Sequence, residues 1–108
     1  MNKKYHFIAI GGVGMSGLAK YLLQEGFEVS GSDINESKYT KQLIELGAKI
    51  HIGHSEKNIE KNSVIIVSSA IKDTNVELIK AKELGLPIYH RSDLLAELSE
   101  RKSNFIGF

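Results

Sequence analysis

Four glycines fall within seven residues, in Ile8-Ala9-Ile10-Gly11-Gly12-Val13-Gly14-Met15-Ser16-Gly17. Glycine at that density suits one chemistry. A diphosphate comes within hydrogen-bonding distance of a backbone only where no Cβ stands in the way. The free N–H groups of a helix's first turn then meet the anion, helped by about half a unit of positive charge from the helix dipole. Gly12, Gly14 and Gly17 form a Gly-x-Gly-x-x-Gly between an apolar run and an amphipathic one, the context in which this pattern signals a nucleotide. The backbone of Gly11, Gly12, Val13, Gly14 and Met15 is the candidate phosphate cradle, and the hydroxyl of Ser16 can add a donor. The competing reading is a tight strand-to-helix turn whose glycines serve packing alone.

Asp33 stands 21 residues after Gly12, closing Ser30-Gly31-Ser32-Asp33. A carboxylate at the end of the second strand accepts hydrogen bonds from ribose hydroxyls. The alternative is a turn or helix-capping aspartate. Loop and carboxylate together point to a nucleotide with an unphosphorylated ribose. One detail departs from the dinucleotide pattern, in which the first glycine follows the last apolar strand residue directly. Here Gly11 intervenes between Ile10 and Gly12. The extra residue moves the phosphate-binding helix end relative to the strand, which is off-pattern for NAD.

These residues need elements to hold them. Tyr5 to Ile10 and Ser63 to Ser68 read as apolar, two-sided and therefore central strands. Phe27 to Ser32, Lys49 to Ile52 and Ile88-Tyr89 suit flanking positions. Met15, Leu18, Ala19, Leu22 and Leu23 form the stripe of a first helix. A second helix is predicted over Ser37 to Leu46, and a third starts near Thr74, where Thr74-Asn75-Val76-Glu77 fits a capping box. A fourth covers about Ser92 to Arg101, and the polar crossover from Gly53 to Asn62 holds a turn and a scrap of helix. Gly26, Gly47 and Gly85 each fall between a helix-like and a strand-like segment, where a left-handed residue ends a helix. That rhythm of βαβ units predicts an α/β, Rossmann-like doubly wound domain. Its five-stranded parallel sheet is expected in the order 3-2-1-4-5, with helices on both faces.

Composition narrows the options. At 108 residues, folding buries roughly 65% of the surface of the unfolded chain, enough for one core. Fourteen basic against thirteen acidic residues, without a basic run, argue against nucleic acid as partner. The absence of cysteine excludes disulfides, thiolate metal sites and cysteine nucleophiles. No apolar run exceeds the four residues of Val64 to Val67, far too short to span a membrane, and with so early a first strand no signal peptide is expected. A cytoplasmic domain is the expectation.

The chain resembles the N-terminal domain of the Mur ligases of peptidoglycan synthesis, and among them the ligases that join L-alanine to UDP-N-acetylmuramate. The resemblance is carried by His6 to Ala19, with Gly11 in place, and by Glu28-Val29-Ser30-Gly31-Ser32-Asp33. It continues through Gly47-Ala48-Lys49-Ile50-His51-Ile52-Gly53-His54 and Val67-Ser68-Ser69-Ala70-Ile71, covering essentially the whole chain in order. The sister ligase that recycles murein peptides is similar in fold but differs in its glycine loop. The resemblance implies a domain over residues 1–108 that binds UDP-N-acetylmuramate. Its partners would be an ATP-binding and a C-terminal domain of the same chain. It implies no catalytic residue, metal or cofactor here: ATP and magnesium would act in the central domain, and the chain contains no Gly-Lys-Ser/Thr. Asn104-Phe105-Ile106-Gly107-Phe108 reads as the strand leading toward that domain.

The resemblance also makes His54, after the third strand, a candidate for uracil or ribose contact, with a solvated loop histidine as the alternative. Ser68 and Ser69, ending the fourth strand, can bond phosphate or sugar oxygens or cap the following turn. Arg91, beyond the fifth strand, stands where the family carries a basic residue, facing the diphosphate, the neighbouring domain or plain solvent. His6 is expected to be structural and His51 to face solvent. An NAD-binding regulatory module and a truncated NAD-dependent oxidoreductase are the competing functions; Gly11 speaks against both.

Overall fold

The computed structural model describes residues 4–68 and 71–93. Five parallel strands form one sheet in the order β3-β2-β1-β4-β5. They are β1 (Lys4–Ile8), β2 (Glu28–Asp33), β3 (Lys49–Ile52), β4 (Ser63–Val67) and β5 (Ile88–His90). The helices are α1 (Val13–Gln24), α2 (Lys38–Glu45) and α3 (Val76–Glu83), with a single 3-10 turn at Glu56–Asn58 in the polar crossover. The predicted order and crossover both hold. The predicted fourth helix extends beyond residue 93, outside the described residues.

The two faces of the sheet are covered by different helices. Tyr5 and Phe7 of β1, Val29 of β2 and Ile66 of β4 pack with Met15, Leu18, Ala19 and Leu22 of α1 and with Leu43 of α2. On the other face Ile8 and Ile65 pack with Ile59 and with Leu78 and Ala81 of α3. Adjacent residues of β1 thus serve opposite layers, as the two-residue period of a strand requires. Because β1 is sandwiched, Phe7 and Ile8 are both fully buried. Tyr5 and Phe27 meet edge to face, with ring centroids 5.4 Å apart.

Each helix ends as its glycine predicts. Gly26, Gly47 and Gly85 have φ of 89°, 108° and 68°. In all three places the glycine N–H bonds back to the carbonyl three residues earlier, and the next N–H reaches the carbonyl five residues earlier. These paired bonds form the Schellman motif. The chain therefore leaves α1, α2 and α3 by the same turn and enters the next strand.

The other predicted strand ends and those of α2 agree to within one residue, but two differences from expectation bear on the site. Strand β1 stops at Ile8 rather than Ile10, because the chain bends at Ala9, which takes a left-handed φ of 67°. Ile10 stays fully buried and donates its N–H to the Ser32 carbonyl, so its apolar character reported burial rather than strand pairing. At α3 the N-cap is Asn75 rather than Thr74. Asn75 Oδ1 accepts from the N–H groups of Glu77 and Leu78. Glu77, freed from a capping box, is fully buried. The reciprocal box is found at α2 instead, between Ser37 and Thr40.

Candidate functional site

The carboxyl ends of the strands converge on the start of α1. Gly12 is the N-cap of that helix, no side chain caps it, and its first turn holds no acidic residue. The opening N–H groups are thus left for a partner of another kind. Around them lies a cleft of about 450 Å³, lined by Ala9, Gly11, Gly12, Gly14, Met15, Asp33, Asn35, Ser37, Ser68 and Arg91. Its size falls within the range of small-molecule sites.

Three contacts shape this cleft. Asp33 Oδ2 accepts the N–H of Gly11 at 2.8 Å, while Oδ1 accepts from Ile34 at 2.8 Å and Asn35 at 3.5 Å. The carboxylate thus ties the glycine loop to the end of β2, and each oxygen keeps lone-pair capacity for a further donor. A Cβ on Gly11 would stand 2.6 Å from Asp33 Oδ2, which accounts for glycine at the position that breaks the NAD pattern. Arg91 lays its guanidinium against Gly14, where a Cβ would meet Nη1 at 2.8 Å and the neighbouring guanidinium atoms at 3.0 Å. A cation on β5's far end is thereby brought beside the uncapped start of α1. Ala9, in its left-handed conformation, accepts the N–H of Gly12 at 3.3 Å and turns the chain into the loop. A non-glycine residue there costs roughly 1–2 kcal/mol, and such strain concentrates at ligand sites.

The cleft gathers Gly11, Gly12, Gly14, Met15, Asp33, Ser68 and Arg91 from the predicted set. Val13 opens α1 beside them. Ser16 is buried in the first turn of α1 and is not among the cleft-lining residues. Ser69 lies outside the described residues. His54 does not line the cleft either; it belongs to a second cluster beside it.

That cluster is centred on Glu77, a carboxylate that sequence reasoning assigned to a helix cap. Its side chain is fully buried and accepts five hydrogen bonds. Oε1 accepts from His6 Nε2 at 2.6 Å and Ser32 Oγ at 2.8 Å. Oε2 accepts from His54 Nδ1 at 3.3 Å, the Ser55 N–H at 3.1 Å and Asn58 Nδ2 at 3.0 Å. Burial alone would push this carboxyl up, but the hydrogen bonds from His6, Asn58 and Ser32 and the nearby imidazole outweigh it and hold Glu77 down at about 2. His6 is structural, as expected, and its Nδ1 meets Ser30 Oγ at 2.8 Å. His51 is half-buried rather than fully solvated.

A signal for the cluster was present in the sequence. β1 and β2 pair with His6 opposite Ser30 and Ile8 opposite Ser32. Period two therefore puts His6, Ser30 and Ser32 on one face of the two central strands, the face α3 covers. Polar groups on a covered face need partners; Ser30 finds His6, and His6 and Ser32 find the carboxylate that α3 brings over that face.

Among the described residues no helix is long and apolar enough to cross a membrane. The sequence model of the family described as "Mur ligase family, catalytic domain" matches residues 4–103. A UDP-N-acetylmuramate–L-alanine ligase of Hydrogenobaculum sp. (strain Y04AAS1) is 54% identical over 100 residues, covering 93% of this chain and 22% of that protein. The ligase of the same name from Aquifex aeolicus (strain VF5) is 51% identical over the same shares. Among solved structures, a UDP-N-acetylmuramate–alanine ligase of Thermotoga maritima superposes with a TM-score of 0.87 at 34% identity, covering 94% of this chain and 23% of that one. The chain spans between a fifth and a quarter of the length of these relatives. With a family match over all but the first three and last five of its residues, this chain belongs to the Mur ligase family.

Proposed function

We propose that this chain is the UDP-N-acetylmuramate-binding domain of a peptidoglycan-synthesising ligase that joins L-alanine to the muramoyl carboxylate. The observation that carries the reading is the pairing of the Arg91 guanidinium with the uncapped start of α1 across Gly14. A guanidinium and a row of helix N–H groups recognise the same ligand chemistry, a diphosphate. Asp33, which lines the same cleft, retains acceptor capacity for ribose hydroxyls. Ser68 adds a hydroxyl at the end of β4.

In the proposed reaction ATP phosphorylates the muramoyl carboxylate, and the amine of L-alanine displaces phosphate to form the amide. No step of that chemistry is assigned to these residues. The chain holds no Gly-Lys-Ser/Thr to cradle a triphosphate. Among the described residues no group of three or more His, Asp or Glu side chains is arranged to hold a metal ion. The contribution of this domain is to fix the UDP end of the substrate, so that the lactyl carboxylate reaches a phosphoryl-transfer site supplied by other domains of a longer chain. A cytoplasmic location follows from that chemistry, because the nucleotide substrate and ATP are found there.

The test is a pair of titrations followed by amide resonances, one with UDP-N-acetylmuramate and one with NADH. Shifts at Gly12, Gly14, Ser16 and Asp33 with the UDP compound alone are the expected outcome. Saturable micromolar binding of NADH with no response to the UDP compound would refute the reading.

A further inference from the structure

The hydrogen-bond directions in the buried cluster decide the tautomer of His54. An ionised carboxylate only accepts, so every group facing Glu77 must donate. Ser32 spends its one hydroxyl proton on Glu77 Oε1. Its oxygen, 2.8 Å from His54 Nδ1, is left as an acceptor there. Both neighbours of Nδ1, the Ser32 oxygen and Glu77 Oε2, therefore require a proton on that nitrogen. In the neutral ring the second nitrogen, Nε2, is then a bare lone pair. The ring is held but not sealed in: 19% of the His54 side chain is exposed.

Its place in the sheet gives that lone pair a use. His54 follows β3, whose register sets Ile52 opposite Asp33. The N–H of Gly53 bonds the Asp33 carbonyl at 2.6 Å. His54 thus stands beside the residue that lines the cleft, at the β2–β3 side of the sheet's carboxyl edge. In open α/β sheets a nucleotide whose phosphates meet the first helix runs its nucleoside outward past the end of the second strand.

We propose that Glu77 is a positioning residue for nucleoside recognition: through Ser32 and directly, it fixes His54 as the Nδ1–H tautomer and so offers Nε2 as an acceptor to a nucleoside N–H or O–H. Glu77 touches no ligand itself. Its role is to convert a residue able to donate or accept into one that only accepts, which favours a base or sugar carrying a proton at that point. This inference rests on the nucleotide reading of the cleft and adds the selectivity of its nucleoside end.

The experiment combines ring-nitrogen NMR of the 108-residue chain, labelled with 15N-histidine, with calorimetric binding of UDP and three analogues. N3-methyl-UDP lacks the imide proton, while 2′-deoxy- and 3′-deoxy-UDP each lack one hydroxyl donor. The wild-type chain is expected to show His54 with a pyrrole-type Nδ1 and a pyridine-type Nε2, and to bind one of the analogues about tenfold more weakly than UDP, the worth of one hydrogen bond. Because Asp33 also offers an acceptor to ribose hydroxyls, the analogue whose disadvantage disappears in His54→Asn is the one that identifies base or ribose as the donor to Nε2. Glu77→Gln turns one head of the acceptor into a donor. It should abolish the single tautomer and bring UDP down to the affinity of that analogue. His54→Asn keeps an amide N–H where Nδ1 stood and has nothing at the Nε2 position. It should cause the same loss in a folded chain, so the inference does not hang on whether the Glu77 variant folds. A wild-type His54 protonated on Nε2, no discrimination among the analogues, or an undiminished preference in His54→Asn overturns the inference while leaving UDP binding intact. A chain that binds no UDP overturns the nucleotide reading and this inference together.

Discussion

The carboxylate of Asp33 fills the space that a methyl group on Gly11 would need, and the guanidinium of Arg91 fills the space beside Gly14. The two crowdings differ in how they can be relieved. Asp33 is held by three backbone N–H groups, one of them from Gly11 itself, so it cannot step aside without undoing the loop. Arg91 presents the far end of a long side chain, which can swing away. Gly11→Ala should therefore cost roughly 1–3 kcal/mol in urea unfolding, the range for overpacking a tight site. Gly14→Val should leave the unfolding midpoint almost unchanged yet abolish UDP binding, since its methyls occupy the phosphate path and evict the cation. A Gly14→Val chain that binds UDP normally would show that the loop is not the phosphate site. At this scale the glycine loop and Asp33 were legible in the sequence through local pattern, whereas Arg91 was marked only by its strand-end position and the family resemblance, with a plain surface arginine as the competing reading. Glu77 was not legible. Its partner His6 is 71 residues away, and the nearby Thr74 and Asn75 offered a local cap that hid its long-range role.

Among the elements, the three Schellman turns were readable because a left-handed residue leaves a chemical mark, glycine, that no packing argument is needed to interpret. The end of β1 left no such mark, since Ala9 takes a left-handed φ without the residue type that usually signals it. The helices separate two kinds of glycine that sequence alone runs together. Gly47 ends α2 at φ 108° with nothing within 4 Å of where a Cβ would stand, so its cost of substitution is purely conformational. Gly47→Ala should lose about 1–2 kcal/mol. Gly17, third glycine of the phosphate pattern, lies inside α1 with equally open space around it and an ordinary helical φ. In dinucleotide-binding domains that glycine serves close packing of helix on strand, but here it is exposed. Gly17→Ala should raise stability by roughly 0.5–1 kcal/mol through helix propensity. Thermal melts of the two variants, shifting in opposite directions, would check both assignments at once.

For the molecule as a whole, the buried carboxylate sets the response to acid. Glu77 is held at about 2 in the folded chain, against 4.5 for an ordinary glutamate. A depressed carboxyl contributes stability that is fully present above the unfolded value, declines as pH falls below 4.5, and is gone once pH passes below about 2. The gap corresponds to about 3 kcal/mol, a large share of the stability of a domain this size. Urea midpoints of the wild-type chain should fall steeply between pH 5 and pH 2. Those of Glu77→Gln should start lower and fall with a smaller slope over the same window. Equal slopes would mean that other carboxylates carry the acid transition. Fold class and strand order were legible at this scale because glycine rhythm and apolar runs are written locally. The network binding the two layers was not, since it depends on which faces meet.

That network reaches from β1 and β2 in the first half of the chain to α3 in the second, and takes in the loop after β3 on the way. Doubly wound domains are often thought of as two mononucleotide halves joined at the middle of the sheet. Here neither half is chemically complete. The first would be left with His6, Ser32 and His54 lacking their common acceptor, and the second with an ionised glutamate lacking donors. The halves are not interchangeable parts. A chimera that joins the β1–β3 half of this domain to the β4–β5 half of another must carry donors and acceptor across the seam together, or leave an unpaired charge at its centre.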